Sequence, residues 1–237
     1  MHKLLLLPLT LTVLSAAAFA AEKEASTAPG SSGEWKSLFD GKTTAGWRAL
    51  GKDAPPGAGW VVENGILKLD KKSGQPAGNI VTEQSFNDFE LSWEWNIAPV
   101  GNSGIKYNLL DPKKDLGCEY QMLDDEHHPD GMRGGKLHQT ASLYDLIEPA
   151  DTRKVKPPGE WNQSRLLVKG NHVEHWLNGV MTVTYEFGSD DLKARVAKSK
   201  YKANANFGDK RKSPILIQDH GDAISLRDIK VRVLADK

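Results

Sequence analysis

A glutamate and a glutamine two residues apart, Glu119 and Gln121, lie in the run Gly117, Cys118, Glu119, Tyr120, Gln121, Met122, Leu123, Asp124, Asp125, which passes at once into Glu126, His127 and His128. At the two-residue period of a strand, Glu119, Gln121 and Leu123 share one face, and Cys118, Tyr120 and Met122 share the other. The second face is apolar and suited to a core, whereas the first carries an acid and an amide. Such a strand reads as the floor of a cleft lined with hydrogen-bonding groups. That cleft suits a polar ligand such as a sugar, because each hydroxyl taken out of water needs a partner from the protein. The adjoining Asp124, Asp125, Glu126, His127, His128 and Asp130 form the densest group of metal-ligand types in the chain. Oxygen ligands with one imidazole suit calcium or a catalytic divalent ion, although no spacing here matches a specific metal loop; a solvated acidic loop is the other reading. The cofactor expectation is thus none certain, with a divalent metal ion as the open possibility and its ligands unknown.

The elements that position these residues read as short alternating runs separated by turn residues. Residues 59–69 form a hairpin around Asn64 and Gly65, the pair a type I′ turn demands, and Asn178 with Gly179 makes a second. Further strands are expected over 79–82, 89–97, 104–109, 118–123, 142–147, 161–169, 172–177, 180–186, 215–219 and 224–234. One surface helix, capped by Ser189 or Asp190, is expected over 191–199. About a dozen strands with little else argue for an all-β sandwich. Trp35, Trp47, Trp60, Trp93 and Trp95 are assigned to its core, and Cys118 reads as a small buried hydrophobe that has no partner for a disulfide.

Composition narrows the function. Lys plus Arg and Asp plus Glu each number 31 among 237 residues, with no long basic run, so neither nucleic acid nor an anionic membrane is an expected partner. Glycine patterns for dinucleotides or phosphates, a zincin histidine pair and a serine-nucleophile elbow are all missing. Met1, His2 and Lys3 followed by an apolar stretch over 4–19 and by Ala18, Phe19, Ala20 read as an export signal over residues 1–21, which places the mature protein in the periplasm or outside the cell. Residues 22–33 read as a flexible leader and 34–237 as one domain.

Trp35, Leu38, Phe39, Asp40, Gly41, Lys42, Gly46 and Trp47 resemble the opening of the bacterial 3-keto-disaccharide hydrolase and lyase domain family, formerly DUF1080. Further matches follow in order: Asp88 to Leu91 as Asp, Phe, Glu, Leu; Asn102, Ser103, Gly104, Ile105; Glu119, Tyr120, Gln121 with Leu123 and Asp124; Gly159, Glu160, Trp161, Asn162; Leu177, Asn178, Gly179; and Gln218, Asp219, His220, Gly221 with Arg227, Asp228, Ile229. Near its end the family usually has Arg, Asn, Ile, and Asp228 here replaces the Asn. The resemblance implies a concanavalin A-like jelly roll of two antiparallel sheets. It also implies a glycoside substrate whose C3 hydroxyl a partner sugar 3-dehydrogenase has oxidised to a ketone.

That ketone acidifies the proton on C2, so a base can remove it, the aglycone on C1 can leave, and water can add to the glycal. The cleavage needs a base, a stabiliser for the enolate oxygen and an acid or metal at the leaving oxygen. Glu119, His220, His138 and Asp124 are the catalytic candidates. Glu119 serves as base or acid if the cleft raises its pKa, or else only binds hydroxyls or pairs with a cation. His220 suits proton abstraction or enolate stabilisation, or else ties a strand end to the turn at Gly221. Arg227 either steadies an enolate or pairs with Asp219 or Asp228. Gln121, Gln218, Lys106 and Asn108 are expected to bind substrate, with Tyr144 or Trp176 as a flat surface for sugar rings. A non-catalytic carbohydrate-binding module is the alternative function. A conventional two-carboxylate glycosidase is weakened by Gln121, which occupies the place of a second acid.

Overall fold

The computed structural model describes residues 33–204 and 206–235. The expected export signal, and the expected leader apart from Gly33, lie outside the described residues. Two antiparallel sheets face each other. The larger runs, in spatial order, through β11 (Val180–Glu186), β10 (His172–Leu177), β9 (Asn162–Lys169), β6 (Phe89–Ile97), β13 (Ile224–Val233), β4 (Ile66–Leu69) and β3 (Trp60–Glu63), with the short β1 (Lys36–Ser37) also paired to β13. The smaller has the order β2 (Trp47–Ala49), β5 (Ile80–Phe86), β12 (Ser213–Ile217), β7 (Asn102–Tyr107) and β8 (Cys118–Leu123).

Alternation along each strand decides what lies between the sheets. On β6, Phe89, Leu91, Trp93, Trp95 and Ile97 point inward, and on β8 Cys118, Tyr120 and Met122 do. Trp93 and Tyr120 meet edge to face with ring centroids 5.0 Å apart, which joins the two sheets. A buried indole N–H costs free energy unless it is bonded, and each core tryptophan finds a partner. Trp47 donates to Leu38 O at 2.7 Å, Trp60 to Gly78 O at 2.8 Å and Trp95 to Ser164 Oγ at 2.8 Å. Trp35 departs from expectation: it lies half-buried on the outer face of the larger sheet, beneath Arg232 at 4.9 Å.

Both hairpin turns carry the left-handed backbone that their Asn-Gly pairs favour, with φ of 51° at Asn64 and 47° at Asn178. Asp228 also has a positive φ, 50°, at the register shift of β13 against β6. Asn and Asp both tolerate that conformation, so the exchange of one for the other keeps the bulge.

The segment expected to be a strand over 142–147 is not one. Left-handed residues Ala141 (φ 66°) and Asp145 (φ 62°) fold it into tight turns, and only Leu143 bridges, to Tyr120 and to Ile147. The expected helix is α2 (Asp190–Val196), capped by Ser189 Oγ. A second short helix, α1 (Pro129–Gly134), with His128 as its cap, passes into a 3-10 turn (Gly135–His138), and these follow the acidic stretch directly.

One polar chain crosses the core. His175 Nδ1–H donates to Ala141 O at 3.4 Å, so its Nε2 accepts from the Tyr107 hydroxyl at 2.6 Å, and Tyr107 in turn accepts from Tyr185 at 2.8 Å. Burial pushes the imidazole down to about 3 from 6.5. Between those values the unfolded chain takes up a proton that the native state refuses, so stability falls as pH drops through that window, by up to roughly 1.4 kcal/mol per unit. Urea midpoints of the parent and of His175→Gln should therefore diverge as pH falls from 6 to 4, with the parent losing more; parallel curves would show that the native imidazole charges as freely as the unfolded one.

Candidate functional site

The face of the smaller sheet turned away from the core carries the polar residues. Ladder pairing places Lys106 opposite Glu119, Gly104 opposite Gln121 and Asn102 opposite Leu123. The Glu119 side chain is 4% exposed, so its carboxyl needs partners supplied by the protein. Lys106 Nζ lies 3.3 Å from Glu119 Oε2 and also grips Asp115 on the loop after β7. Gln218, just past β12, completes the group. With its amide nitrogen toward the acid, it donates to Glu119 Oε1 at 3.2 Å and accepts from Lys106 Nζ at 3.3 Å.

This group closes only because residue 104 is glycine. A Cβ there would stand 2.9 Å from Glu119 Oε1 and 3.2 Å from the Gln218 side-chain amide, so any side chain would displace the acid. Asn79 ties in the far side, donating to Asp115 Oδ2 at 2.8 Å and accepting from the Asp219 N–H at 2.8 Å.

Burial raises the Glu119 carboxyl above the usual glutamate range, and the positive charges of Lys106 and Lys200 offset only part of that rise. Burial alone would lower Lys106, but Glu119 and Asp115 more than compensate, and its ammonium is held above the ordinary lysine value. The result is a desolvated acid poised toward neutrality beside a cation that keeps its proton.

A second group adjoins the first through the chain beside β8. The Tyr144 N–H donates to Glu119 O at 3.1 Å, and the Tyr144 hydroxyl donates to Asp130 Oδ2 at 2.8 Å. His138 lies 4.3 Å from the Tyr144 ring, with Nδ1 3.0 Å from Asp130 and Nε2 3.2 Å from Asp145. Burial would raise Asp130, but the Tyr144 hydroxyl and His138 more than offset it and hold the carboxyl below its usual value. Lys200 enters over this group, its ammonium 4.0 Å from the Tyr144 ring centroid. Burial, reinforced by the charge of Lys106, lowers this amine despite the opposing pull of Glu119, Asp145 and Asp130.

Among the sequence candidates, Glu119, Lys106, Gln218, Gln121, Tyr144 and His138 thus gather on one face. Gln121 is buried beside Glu119, its Oε1 3.1 Å from the Met122 N–H. The others lie apart. Asp124, just past β8, has its oxygens on the Val100 N–H at 2.8 Å and on His127 Nδ1 at 3.0 Å, which makes it a loop anchor. β12 stops at Ile217, short of the expected 219, so His220 is exposed at the rim, its ring 6.3 Å from that of His128. Asn108 turns both amide atoms to the backbone of Asp209 and Arg211, at 2.9 and 2.7 Å.

Arg227 and Trp176 belong to the outer face of the opposite sheet. Arg227 pairs with Glu94 at 2.7 Å and covers Trp161, and Arg165 covers Trp176 at 4.2 Å. Neither can meet a ligand on Glu119. The acidic stretch does not converge as a metal site either. Asp125 is spent on the Thr140 N–H and Arg153, and no group of three or more His, Cys, Asp or Glu among the described residues could hold an ion. An open cleft of about 560 Å³ lies beside β2, lined by Thr44, Arg48, Asp53 and Glu83, and includes none of the sequence candidates. Lys200 escaped the sequence reading, because a loop lysine next to a helix carries no periodic signal.

Residues 34–232 match the 3-keto-alpha-glucoside-1,2-lyase-like domain. A Bacteroides thetaiotaomicron protein named 3-keto-disaccharide hydrolase is 33% identical over a 244-residue alignment that covers 91% of this chain and 83% of that protein. A solved structure from Parabacteroides distasonis, provisionally described as a glycosyl hydrolase, is 32% identical with a TM-score of 0.75, covering 85% of this chain and 94% of the other. β-Agarase B of Zobellia galactanivorans, at 10% identity and a TM-score of 0.53 over 89% of this chain and 96% of its own, shares the fold alone. The expected jelly-roll sandwich is confirmed on both counts.

Removing one charge of the buried pair should be strongly asymmetric. Lys106→Met leaves Glu119 desolvated near Asp115 and should cost about 3–5 kcal/mol in urea unfolding at neutral pH. Glu119→Gln keeps the shape and leaves Lys106 on Asp115, so its midpoint should stay within about 1 kcal/mol of the parent. Equal losses in the two variants would mean that the pair is not desolvated as described.

Proposed function

The chain belongs to the 3-keto-alpha-glucoside-1,2-lyase-like family of carbohydrate-active enzymes, and we propose that it cleaves glycosides carrying a C3 ketone by eliminating the aglycone across C1 and C2 and hydrating the product. The observation that carries this reading is Glu119, an acid kept from water on an otherwise hydrogen-bonding sheet face and raised toward neutrality by that burial. A binding module gains nothing from such a carboxyl, whereas a general base needs one.

In the proposed reaction the Glu119 carboxylate takes the proton from C2. The electron pair left on that carbon moves into the C3 carbonyl, giving an enolate. Its collapse re-forms the ketone, makes the C1–C2 double bond and expels the aglycone oxygen, which takes up a proton. Water then adds at C1 while C2 is reprotonated, and one water is consumed overall. His138 has a carboxylate at each ring nitrogen, so it orients Asp130 and Tyr144 rather than accepting the C2 proton. Lys106 has its donors committed to Asp115, Glu119 and Gln218, so it fixes the base in place. Gln121 stands next to Glu119 on the same face, where it can meet a sugar hydroxyl.

The substrate must be supplied by an enzyme that oxidises a sugar at C3, and we place both steps outside the cytoplasm on the strength of the export pattern over residues 1–21.

Incubation with a 3-keto-glucoside in deuterated water, followed by NMR, tests the scheme. Elimination puts deuterium on C2 of the released 3-keto-glucose, direct hydrolysis leaves C2 protiated, and no release from a panel of oxidised glycosides would refute enzymatic cleavage. Glu119→Gln should lower turnover by about 100-fold or more, the scale of a lost general base. In the parent, the acid limb of kcat/KM should fall above the ordinary glutamate value of 4.5, and Lys106→Met should move it higher.

A further inference from the structure

Elimination also needs a group to receive the charge that develops on the C3 oxygen, and the two cations first expected near the acid are not free to do so. Lys106 is bound on three sides, and Arg227 lies on the other sheet. The geometry points to Lys200 as the catalytic residue that donates a hydrogen bond from Nζ to the C3 oxygen and stabilises the enolate, an assignment that rests on the 3-keto-glycoside reading above.

The loop that carries Lys200 is anchored on both sides of it. Ser199 and Tyr201 are buried, Tyr201 stacks on Phe207 with centroids 4.0 Å apart, and the Tyr201 N–H donates to Ser199 Oγ at 3.0 Å. With both neighbours turned inward, Lys200 projects from a fixed wall. Its own N–H donates to Asp145 Oδ2 at 2.8 Å, and Asp145 Oδ1 is the atom that faces His138. Asp145 therefore sets the lysine backbone and the imidazole together.

The ammonium itself is uncommitted. It rests against the faces of Tyr144 at 4.0 Å and Tyr201 at 5.2 Å and makes no ion pair or hydrogen bond with any described residue. The carboxylates around it are already engaged: Asp130 with Tyr144 and His138, Asp145 with His138 and the Lys200 backbone, Glu119 with Lys106. Tyr144 links this cation to the strand of the base: its ring lies under the ammonium at 4.0 Å and its N–H donates to Glu119 O at 3.1 Å, while Lys200 and Glu119 form no ion pair. C2–H and C3=O are adjacent on the sugar, and a base with an unpaired cation on the neighbouring wall can address the two at once. A cation held on an aromatic face is oriented without being neutralised, and its three protons stay available to an incoming oxyanion.

The test compares full-length parent, Lys200→Met and Lys200→Arg on a 3-keto-glucoside in deuterated water, reading turnover, KM, exchange of deuterium into C2 of recovered substrate, and the unfolding midpoint. Lys200→Met should lose about 100- to 1,000-fold in kcat, the scale of a lost oxyanion donor. KM should move only a few fold, C2 exchange should fall with turnover because both pass through the enolate, and the midpoint should hold. Lys200→Arg should recover part of the loss, since it restores the charge.

Three results would overturn the assignment: a Lys200→Met protein with parental kcat, one with raised KM but undiminished C2 exchange, or a borohydride-trapped substrate adduct on Lys200, which would make the lysine an imine-forming nucleophile. A parent that releases nothing from oxidised glycosides would fail the functional reading itself and take the assignment with it; an active parent with an unimpaired Lys200→Met variant would remove Lys200 alone.

Discussion

Burying the Glu119 carboxyl on the outward face of a sheet is the constraint that orders everything around it. An isolated ion at that depth costs several kcal/mol, so the strand carrying it is viable only if a cation and further hydrogen bonds arrive with it. Lys106 comes from the neighbouring strand at the directly paired position, Gln218 from just past the end of β12, and Gly104 leaves the space in which all three meet. A one-residue slip of β7 against β8 would turn Lys106 into the core and leave the acid unpaired. The same pair that makes a reactive group therefore also fixes the register of the smaller sheet.

The two outward faces of the sandwich handle charge differently. On the larger sheet Glu90 accepts from Arg165 and Arg232, Glu94 accepts from Arg227, and the arginine planes lie over Trp176, Trp35 and Trp161. There cations and aromatics satisfy one another. Beside the smaller sheet, Lys200 on its loop makes no ion pair with any described residue, and Glu119 is an acid raised by burial. In the proposed reading, incomplete neutralisation, more than aromatic content, is what would separate a reactive face from a protective one.

That distinction explains which residues the sequence reveals. The two-residue period places Glu119 and Gln121 opposite Cys118, Tyr120 and Met122, and the structure agrees, because a strand with one core face has only one way to lie. Period alone does not say to which sheet an outward residue belongs, so Trp176 and Arg227 resemble site residues while lying on the far side of the core. β1 and β2, with two and three residues, are too short for periodicity to register. The stretch over 142–147 alternates like a strand, yet its fold is set by positive φ at Ala141 and Asp145, and an alanine gives no warning of that conformation. Lys200 is legible only in three dimensions, because its role depends on what its neighbours in space have already bound.

Backbone strain is distributed consistently with this arrangement. Val100, Asn108, Ala141 and Asp145 all adopt positive φ without being glycine, at a cost of order 1 kcal/mol or more each. Each sits where an exact backbone direction is needed for a particular hydrogen bond. The Val100 N–H meets Asp124, Asn108 ties the 209–211 backbone, Ala141 pairs with the Gln121 carbonyl and offers its own to His175, and Asp145 holds Lys200 and His138. Relaxing any one of them would free a polar group that is now buried or bonded, so the strain persists because the contacts on both sides over-determine it. The aromatic core between the sheets supplies the surplus of stability that lets such a rigid, partly unneutralised face exist.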